Sequence, residues 1–136
     1  MGLGAPLSAS PDNRDRLREE ARIAHLAAVV DNSSDAIVSK TLDGIVKSWN
    51  GGATRIFGYE ADEMVGRPIT VIIPPELMHE EAHILSRIRA GQPVDHFVTT
   101  RVAKDGARKK VSITVSPVRN AAGEIVGASK IGRVVA

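Results

Sequence analysis

The C-terminal part of the chain contains three strand-like segments separated by tight glycine turns, and this pattern constrains the fold more than any other. In the middle segment Val111, Ile113 and Val115 alternate with serine and threonine, as in a strand with one apolar face. The turns at Lys104–Gly106 and Asn120–Gly123 are short enough for hairpins. Because strands joined by hairpins pair antiparallel, these residues predict an antiparallel sheet.

Two shorter strands precede this region. They are predicted at residues 36–40 and 45–49, on either side of an Asp43–Gly44 turn. Each run combines β-branched or aromatic residues with short polar flanks, which is typical of strands. Together with the three later segments, they predict a five-stranded antiparallel sheet.

Short helices are predicted between the second and third strands. Asn50 is expected to cap a helix that ends at Gly58, residues 61–64 begin a further turn, and the Pro-Pro pair at 74–75 starts a longer helix that closes at Gly91. Helices grouped in one connection of an antiparallel sheet indicate an α+β domain. Since short helices that cross one face of a sheet form a lid, we expect a pocket between the lid and the sheet.

A separate amphipathic helix is predicted ahead of the sheet, at residues 10–31. Ser10 is expected to be its N-cap and Pro11 its first helical residue. Apolar residues recur on one face at steps of four, three and four: Leu17, Ala21, Ala24 and Ala28. This stripe must pack on a partner, and two alternatives stay open: it forms the seam of a homodimer, or it folds back on the sheet of its own chain.

The composition excludes several classes of function. The chain contains no cysteine, which excludes disulfides, thiolate metal sites and cysteine nucleophiles and is consistent with the cytoplasm. The chain contains no run of about 18 apolar residues, the length that a membrane-spanning helix needs. Residues 1–9 lack the basic start and apolar run of a secretory signal and are interpreted as a flexible or cloning-derived lead-in.

The charged residues do not indicate a nucleic-acid partner. The net charge is +2, and four aromatic residues are too few for a base-stacking platform. The basic segment 101–110 is better explained as a strand edge protected by lysines. We therefore expect no nucleic-acid binding.

Carboxylates in the helical region could in principle form an acid–base pair. They fall where short helices begin, so favourable interaction with the helix dipoles explains them: Asp62, Glu63, Glu76, Glu80 and Glu81. No nucleophile motif, metalloprotease motif or phosphate loop is present. We expect no enzymatic activity in this chain.

The segment from Leu26 to Arg133 resembles the PAS domain, the sensory module of bacterial histidine kinases and related signalling proteins. The resemblance is carried by short motifs in both halves: Trp49-Asn50, Phe57-Gly58-Tyr59, Gly66-Arg67, Lys104-Asp105-Gly106 and Gly123. It implies a sensor domain at residues 32–134, with a ligand pocket between the sheet and the helices. It also implies a leading helix that often pairs two protomers.

The resemblance implies a cytoplasmic regulatory module of a bacterial signal-transduction protein, such as a sensor histidine kinase of a two-component system. Such a module would couple the binding of a ligand or partner to an output domain of the parent protein. One departure concerns the last strand. Family members that feed an effector follow the arginine with aspartate, whereas Val134 follows Arg133 here. The acidic residue that couples sensor to output in the family is therefore missing.

The expected pocket residues lie on the longer helix and on the third and fourth strands: His83, Ile84, Phe97, Val111, Ile113 and Val115. The sequence does not identify a ligand, and a filled pocket is one of the alternatives. A flavin that forms a cysteinyl adduct is excluded because the chain has no cysteine, while a noncovalently bound flavin stays open.

A haem-based gas sensor is the alternative function. The oxygen-sensing haem members of the family place a ligating histidine on the longer helix, and alignment puts Glu81 at that position. His83 comes two residues later, about 200° around the helix. The ligand therefore does not carry over directly, although a shift in register of the preceding loop would keep haem open. His79 and His83 are spaced for one helix face, but no metal site is expected because surface histidines explain them better.

Overall fold

The computed structural model describes residues 11–135, and the side chains of residues 13–135. Helix α1 (Pro11–Asn32) comes first, followed by two strands, a group of short helices and three further strands. The predicted α+β class is confirmed. The N-cap expected at Ser10 and the lead-in expected at residues 1–9 lie outside the described residues.

The five strands of the described chain form one antiparallel sheet, as predicted. The strands are β1 (Ala36–Thr41), β2 (Val46–Trp49), β3 (Val94–Val102), β4 (Arg108–Arg119) and β5 (Ile125–Val134). Their spatial order is β2-β1-β5-β4-β3. The first and last strands are therefore neighbours, and Val38 in β1 lies opposite Lys130 in β5.

The apolar core lies between one face of this sheet and the helices. Val38, Ile113 and Val115 point into it from the sheet, because residues two apart on a strand share a face. Buried residues from the helical connection complete the core: Ala53, Phe57, Met64, Ile69, Ile72, Ile84 and Ile88.

Helices α2 (Gly51–Phe57) and α3 (Ala61–Met64) follow β2 and have the predicted ends. The side-chain oxygen of Asn50 accepts a hydrogen bond from the backbone N–H of Ala53 at 2.9 Å, so Asn50 is the N-cap. Gly58 ends α2 at φ 82°, a left-handed conformation that a side chain would strain.

The two glycines that begin α2 allow this helix to lie directly against the connection between α1 and β1. A Cβ atom at Gly52 would lie 2.0 Å from the carbonyl oxygen of Asp35, and one at Gly51 would lie 2.4 Å from a carbonyl oxygen of α1. The Asn50 amide donates to the carbonyl oxygen of Val30 at 2.7 Å. The Asn-Gly-Gly segment therefore attaches α1 to the domain.

Helix α4 (His79–Arg89) begins later than predicted. Two 3-10 turns, Ile69–Ile72 and Pro75–Leu77, precede it. The N–H of Met78 bonds to the carbonyl of Pro75, which is the three-residue spacing of a 3-10 helix. The Pro-Pro pair thus begins this turn rather than α4 itself. None of the helices in the described part of the chain is long and apolar enough to cross a membrane.

Candidate functional site

The interior between sheet and helices contains all but one of the predicted pocket residues. Those in or against the apolar core are Ile84, Phe97, Val111, Ile113 and Val115. His83 instead lies on the exposed face of α4 and does not line the interior. Helix α4 has about 3.6 residues per turn, so only one of its faces meets the sheet. The buried residues on that face are Glu81, Ile84, Leu85 and Ile88, and His83 is not among them.

A cluster of charged side chains lies in this interior, where the sequence predicted apolar residues. We call it the interior cluster, and it consists of Lys40, Glu80, Glu81, Arg101 and Lys130. Arg101 on β3 is 1% exposed, and Lys40 on β1 and Lys130 on β5 are each 3% exposed. Because an ionised side chain loses several kcal/mol of hydration when buried, each of these groups needs a partner of opposite charge.

Adjacent carboxylates at the start of α4 bind two of the three cations. Glu81 accepts hydrogen bonds from the Lys40 ammonium at 2.5 and 3.0 Å. Glu80 accepts one from Nη1 of Arg101 at 2.7 Å and one from the hydroxyl of Thr99 at 2.8 Å. Helix α4 is therefore held to β1 and to β3, which lie on different sides of the sheet centre.

The third cation, Lys130, has no carboxylate of its own. None of the described residues accepts a hydrogen bond from its ammonium group. Burial lowers the pKa of Lys130 well below its usual 10.5, and repulsion from Arg101 and Lys40 adds to this, while Glu81 and Glu80 act against it. Burial also lowers the pKa of Lys40, although the Glu81 carboxylate opposes that change.

The strand pattern of the sequence contains a signal for this cluster. Lys40 and Lys130 occupy inward positions in the strand alternations Ala36-Val38-Lys40 and Ala128-Lys130-Gly132. A lysine at a core-facing strand position indicates a buried ion pair or a polar site. The two α4 carboxylates do lie in the first helical turn, as expected, but their side chains bind cations of the sheet.

The interior does not fit a haem. All four histidines lie on the surface: His25, His79, His83 and His96. The position expected for the ligating histidine holds Glu81, which is bound to Lys40. Within the described residues, no group of three or more histidines or carboxylates could hold a metal ion.

The apolar stripe of α1 forms a second candidate site, on the outside of the domain. Leu17 is 55% exposed, and the other residues of the predicted seam are exposed as well: Ala21, Ala24 and Ala28. In the single chain this stripe does not fold back on its own sheet. The C-terminal end of α1 is attached to the domain, because Asn50 and Arg55 donate hydrogen bonds to the carbonyls of Val30 and Asp31.

An open surface pocket of about 330 Å³ lies between the end of α2 and the β3–β4 hairpin. Its lining is basic, with Arg55, Lys104 and Lys109. Lys104 already forms an ion pair with Glu63 at 2.6 Å. This pocket is separate from the interior cluster, and its lysines do not by themselves indicate a ligand.

Comparison with known proteins identifies relatives of this fold. A family model described as the PAS fold matches residues 24–135. The PAS domain of a protein from Colwellia psychrerythraea is 23% identical, with a TM-score of 0.75 over 84% of this chain and 97% of that one. The PAS domain of an HTR-like protein from Haloarcula marismortui is also 23% identical, with a TM-score of 0.75 over 90% of this chain and 98% of that one.

A longer protein shares the same fold. An RNA-binding light-oxygen-voltage receptor is 22% identical, with a TM-score of 0.74. The match covers 99% of this chain and 37% of the receptor. At these identities the structural likeness shows the fold, and the chemistry must be argued from this chain's own residues.

Proposed function

The chain belongs to the PAS family, and we propose that it is a sensor and dimerisation module of a bacterial signal-transduction protein, without catalysis of its own. In this proposal it works in the cytoplasm as part of a sensor histidine kinase, where it couples binding to an output domain. The light-oxygen-voltage receptor with the same fold supports a sensory role. The missing catalytic motifs are consistent with regulation rather than chemistry.

The observation that carries this proposal is the exposed stripe of α1. A helix of 22 residues presents Leu17, Ala21, Ala24 and Ala28 to solvent. Apolar surface that leaves water on pairing contributes about 25 cal/mol per Å². A second copy of α1 is the partner that fits, because the same stripe on both protomers forms a two-fold interface and its alanines allow close approach.

The attachment of α1 gives a dimer helix a direct connection to the sheet. The side chain of Asn50 donates to Val30 in α1 at 2.7 Å, accepts from the N–H of Ile37 in β1 at 2.8 Å, and caps α2. A shift of β1 relative to α2 therefore has to change the hydrogen bonds that hold the end of α1. Two packed elements joined through one polar side chain suit a two-state coupling.

Substitution of the seam tests the proposal. Leu17→Glu combined with Ala24→Glu places four carboxylates in the interface of a dimer, and we expect the molar mass in multi-angle light scattering to fall from dimer to monomer. Circular dichroism and the unfolding temperature of the domain should stay close to wild type, because both residues are exposed in the single chain.

A matched control separates the seam from net charge. Arg18→Gln combined with Arg22→Gln makes the same change in charge at exposed positions outside the seam and should leave the dimer intact. A wild-type chain that is already monomeric, or a seam variant with the wild-type mass, would contradict the assignment of α1 as the dimer element.

A further inference from the structure

The interior cluster contains more positive than negative charge. Three cations, Lys40, Arg101 and Lys130, lie among two carboxylates, Glu80 and Glu81. Each carboxylate is already bound to one cation, at 2.5 Å for Glu81 and 2.7 Å for Glu80. If all five groups are ionised, one positive charge therefore lies inside the domain without a counter-charge.

One buried donor in this cluster has no acceptor among the described residues. The Nε atom of Arg101 is buried and lacks a hydrogen-bond partner. Lys130 is 3% exposed, and its ammonium group donates no hydrogen bond to the described residues. Buried polar groups are almost always hydrogen-bonded, so the unsatisfied Nε–H of Arg101 points to an ion or water that completes it.

The neighbours of Lys130 restrict the kind of ion that fits. In the sheet it lies opposite Val38 on one side and Val115 on the other, and both are fully buried. A protonated Lys130 would thus be one uncompensated positive charge between apolar walls. A single negative charge with little polar surface suits this site, whereas a doubly charged phosphate would need more donors.

We propose that the interior of this domain binds one compact monovalent anion, a halide or a short-chain carboxylate, held by the Lys130 ammonium with the Nε–H of Arg101 as a second donor. Such an anion would join Arg101 on β3 to Lys130 on β5. It would also bring the net charge of the interior cluster, which includes the α4 carboxylates, to zero. The inference rests on the proposed sensory function only in treating the interior as the place where a signal acts.

Thermal unfolding in different salts tests the proposal. The unfolding temperature of the wild-type chain is measured at pH 7 and constant ionic strength in sodium chloride, in sodium acetate and in sodium gluconate, whose anion is much larger than the other two. We expect chloride or acetate to raise it in a saturable way, by about 3–6 °C at tenfold the dissociation constant. The two small anions distinguish a halide site from a carboxylate site.

The matched variants are Lys130→Met and Lys110→Met. The first removes the interior ammonium at nearly constant side-chain length and should abolish the difference in unfolding temperature between the small anions and gluconate. The second removes an exposed lysine of β4 and should keep it. A difference that persists in Lys130→Met, or a wild-type chain that responds equally to all three salts, would overturn the proposal.

Diffraction from wild-type crystals gives a measurement that does not depend on a variant. Crystals grown in bromide are expected to show an anomalous peak beside Lys130. An interior without such a peak counts against a halide there. In that case the unfolding temperature in sodium acetate decides whether a carboxylate binds. A dimer without any anion effect overturns the anion site alone. An anion effect in a monomeric chain overturns the α1 assignment alone.

Discussion

At the scale of single residues, Gly52 leaves the least room for a side chain among the glycines of the described residues. A Cβ atom there would lie 2.0 Å from the carbonyl oxygen of Asp35 and 2.6 Å from that of Ser33. Both obstacles are backbone atoms, so the α1–β1 connection would have to move. We predict that Gly52→Ala lowers the free energy of unfolding in urea by at least about 3 kcal/mol, although alanine favours helices by about 1 kcal/mol over glycine.

Gly106 provides the matched control for this substitution. It lies in the β3–β4 turn at φ +86°, and a Cβ atom there would meet nothing within 4 Å. Gly106→Ala should therefore cost only the strain of a left-handed alanine, about 1–2 kcal/mol. Equal losses in the free energy of unfolding for the two variants would show that the close approach to Asp35 does not cause the loss in Gly52→Ala.

Residues whose signal is local were predicted correctly from the sequence. Asn50 and Gly58 mark the ends of α2 because capping depends on the residues themselves and on their nearest neighbours. The closeness of Gly52 to Asp35 could not be predicted, since it arises only when α2 packs against a preceding connection. The same limit applies to His83, whose exposure depends on which face of α4 meets the sheet.

At the scale of elements, α4 is held to the sheet by the ion pairs of Glu80 and Glu81. We predict that Lys40→Met alone lowers the free energy of unfolding by about 3–5 kcal/mol, because it removes the hydrogen-bonded partner of the buried Glu81 carboxylate. Lys40→Met combined with Glu81→Met should recover most of this loss, since two apolar side chains replace the pair. Urea unfolding of the wild type, of the single variants Lys40→Met and Glu81→Met, and of the double variant gives the coupling energy.

An exposed ion pair is the control for that cycle. Glu76 accepts a hydrogen bond from Arg108 on the surface, so the corresponding variants Arg108→Met and Glu76→Met should change stability little and nearly additively. A Lys40→Met loss no larger than that of Arg108→Met would show that solvent reaches the interior pair.

The elements differ in how far the sequence determines them. The hairpins of β3, β4 and β5 follow from alternation and turn residues, and they lie where they were predicted. The later start of α4 reflects the 3-10 turn at Pro75–Leu77, which the Pro-Pro pair alone does not distinguish from a helix start. The pairing of β1 with β5 was not predicted, because no local pattern joins residues that are about 90 positions apart.

At the scale of the whole molecule, the two ends of the domain lie side by side. Arg133 at the end of β5 forms an ion pair with Asp35, just before β1, at 3.2 Å. Ala36 lies opposite Gly132 in the sheet, so the connection from α1 into β1 and the end of β5 lie at the same end of two adjacent strands. A change in the interior cluster, which joins β1 and β3 to α4, would therefore reach both ends through β1 and its neighbour β5.

The buried lysines also determine how the stability of the whole domain depends on pH. The folded-state pKa values of Lys40 and Lys130 are lowered, so between these values and the usual lysine pKa of about 10.4 the unfolded chain binds more protons than the folded one. The free energy of unfolding must rise with pH across that window. On the acidic side the pKa values of Glu63 and Glu76 are lowered, mainly by hydrogen bonds, so their contribution is lost as pH falls through their folded values.

We therefore predict that the domain is more stable at pH 9 than at pH 7 in sodium gluconate. Urea unfolding followed by the fluorescence of Trp49, the sole and buried tryptophan, measures this difference. Lys130→Met should remove most of the rise, and chloride or acetate should reduce it in the wild type, because a bound anion favours the protonated ammonium. If stability instead falls between pH 7 and pH 9, or rises equally in Lys130→Met, then Lys130 keeps its proton in the folded domain without an added anion.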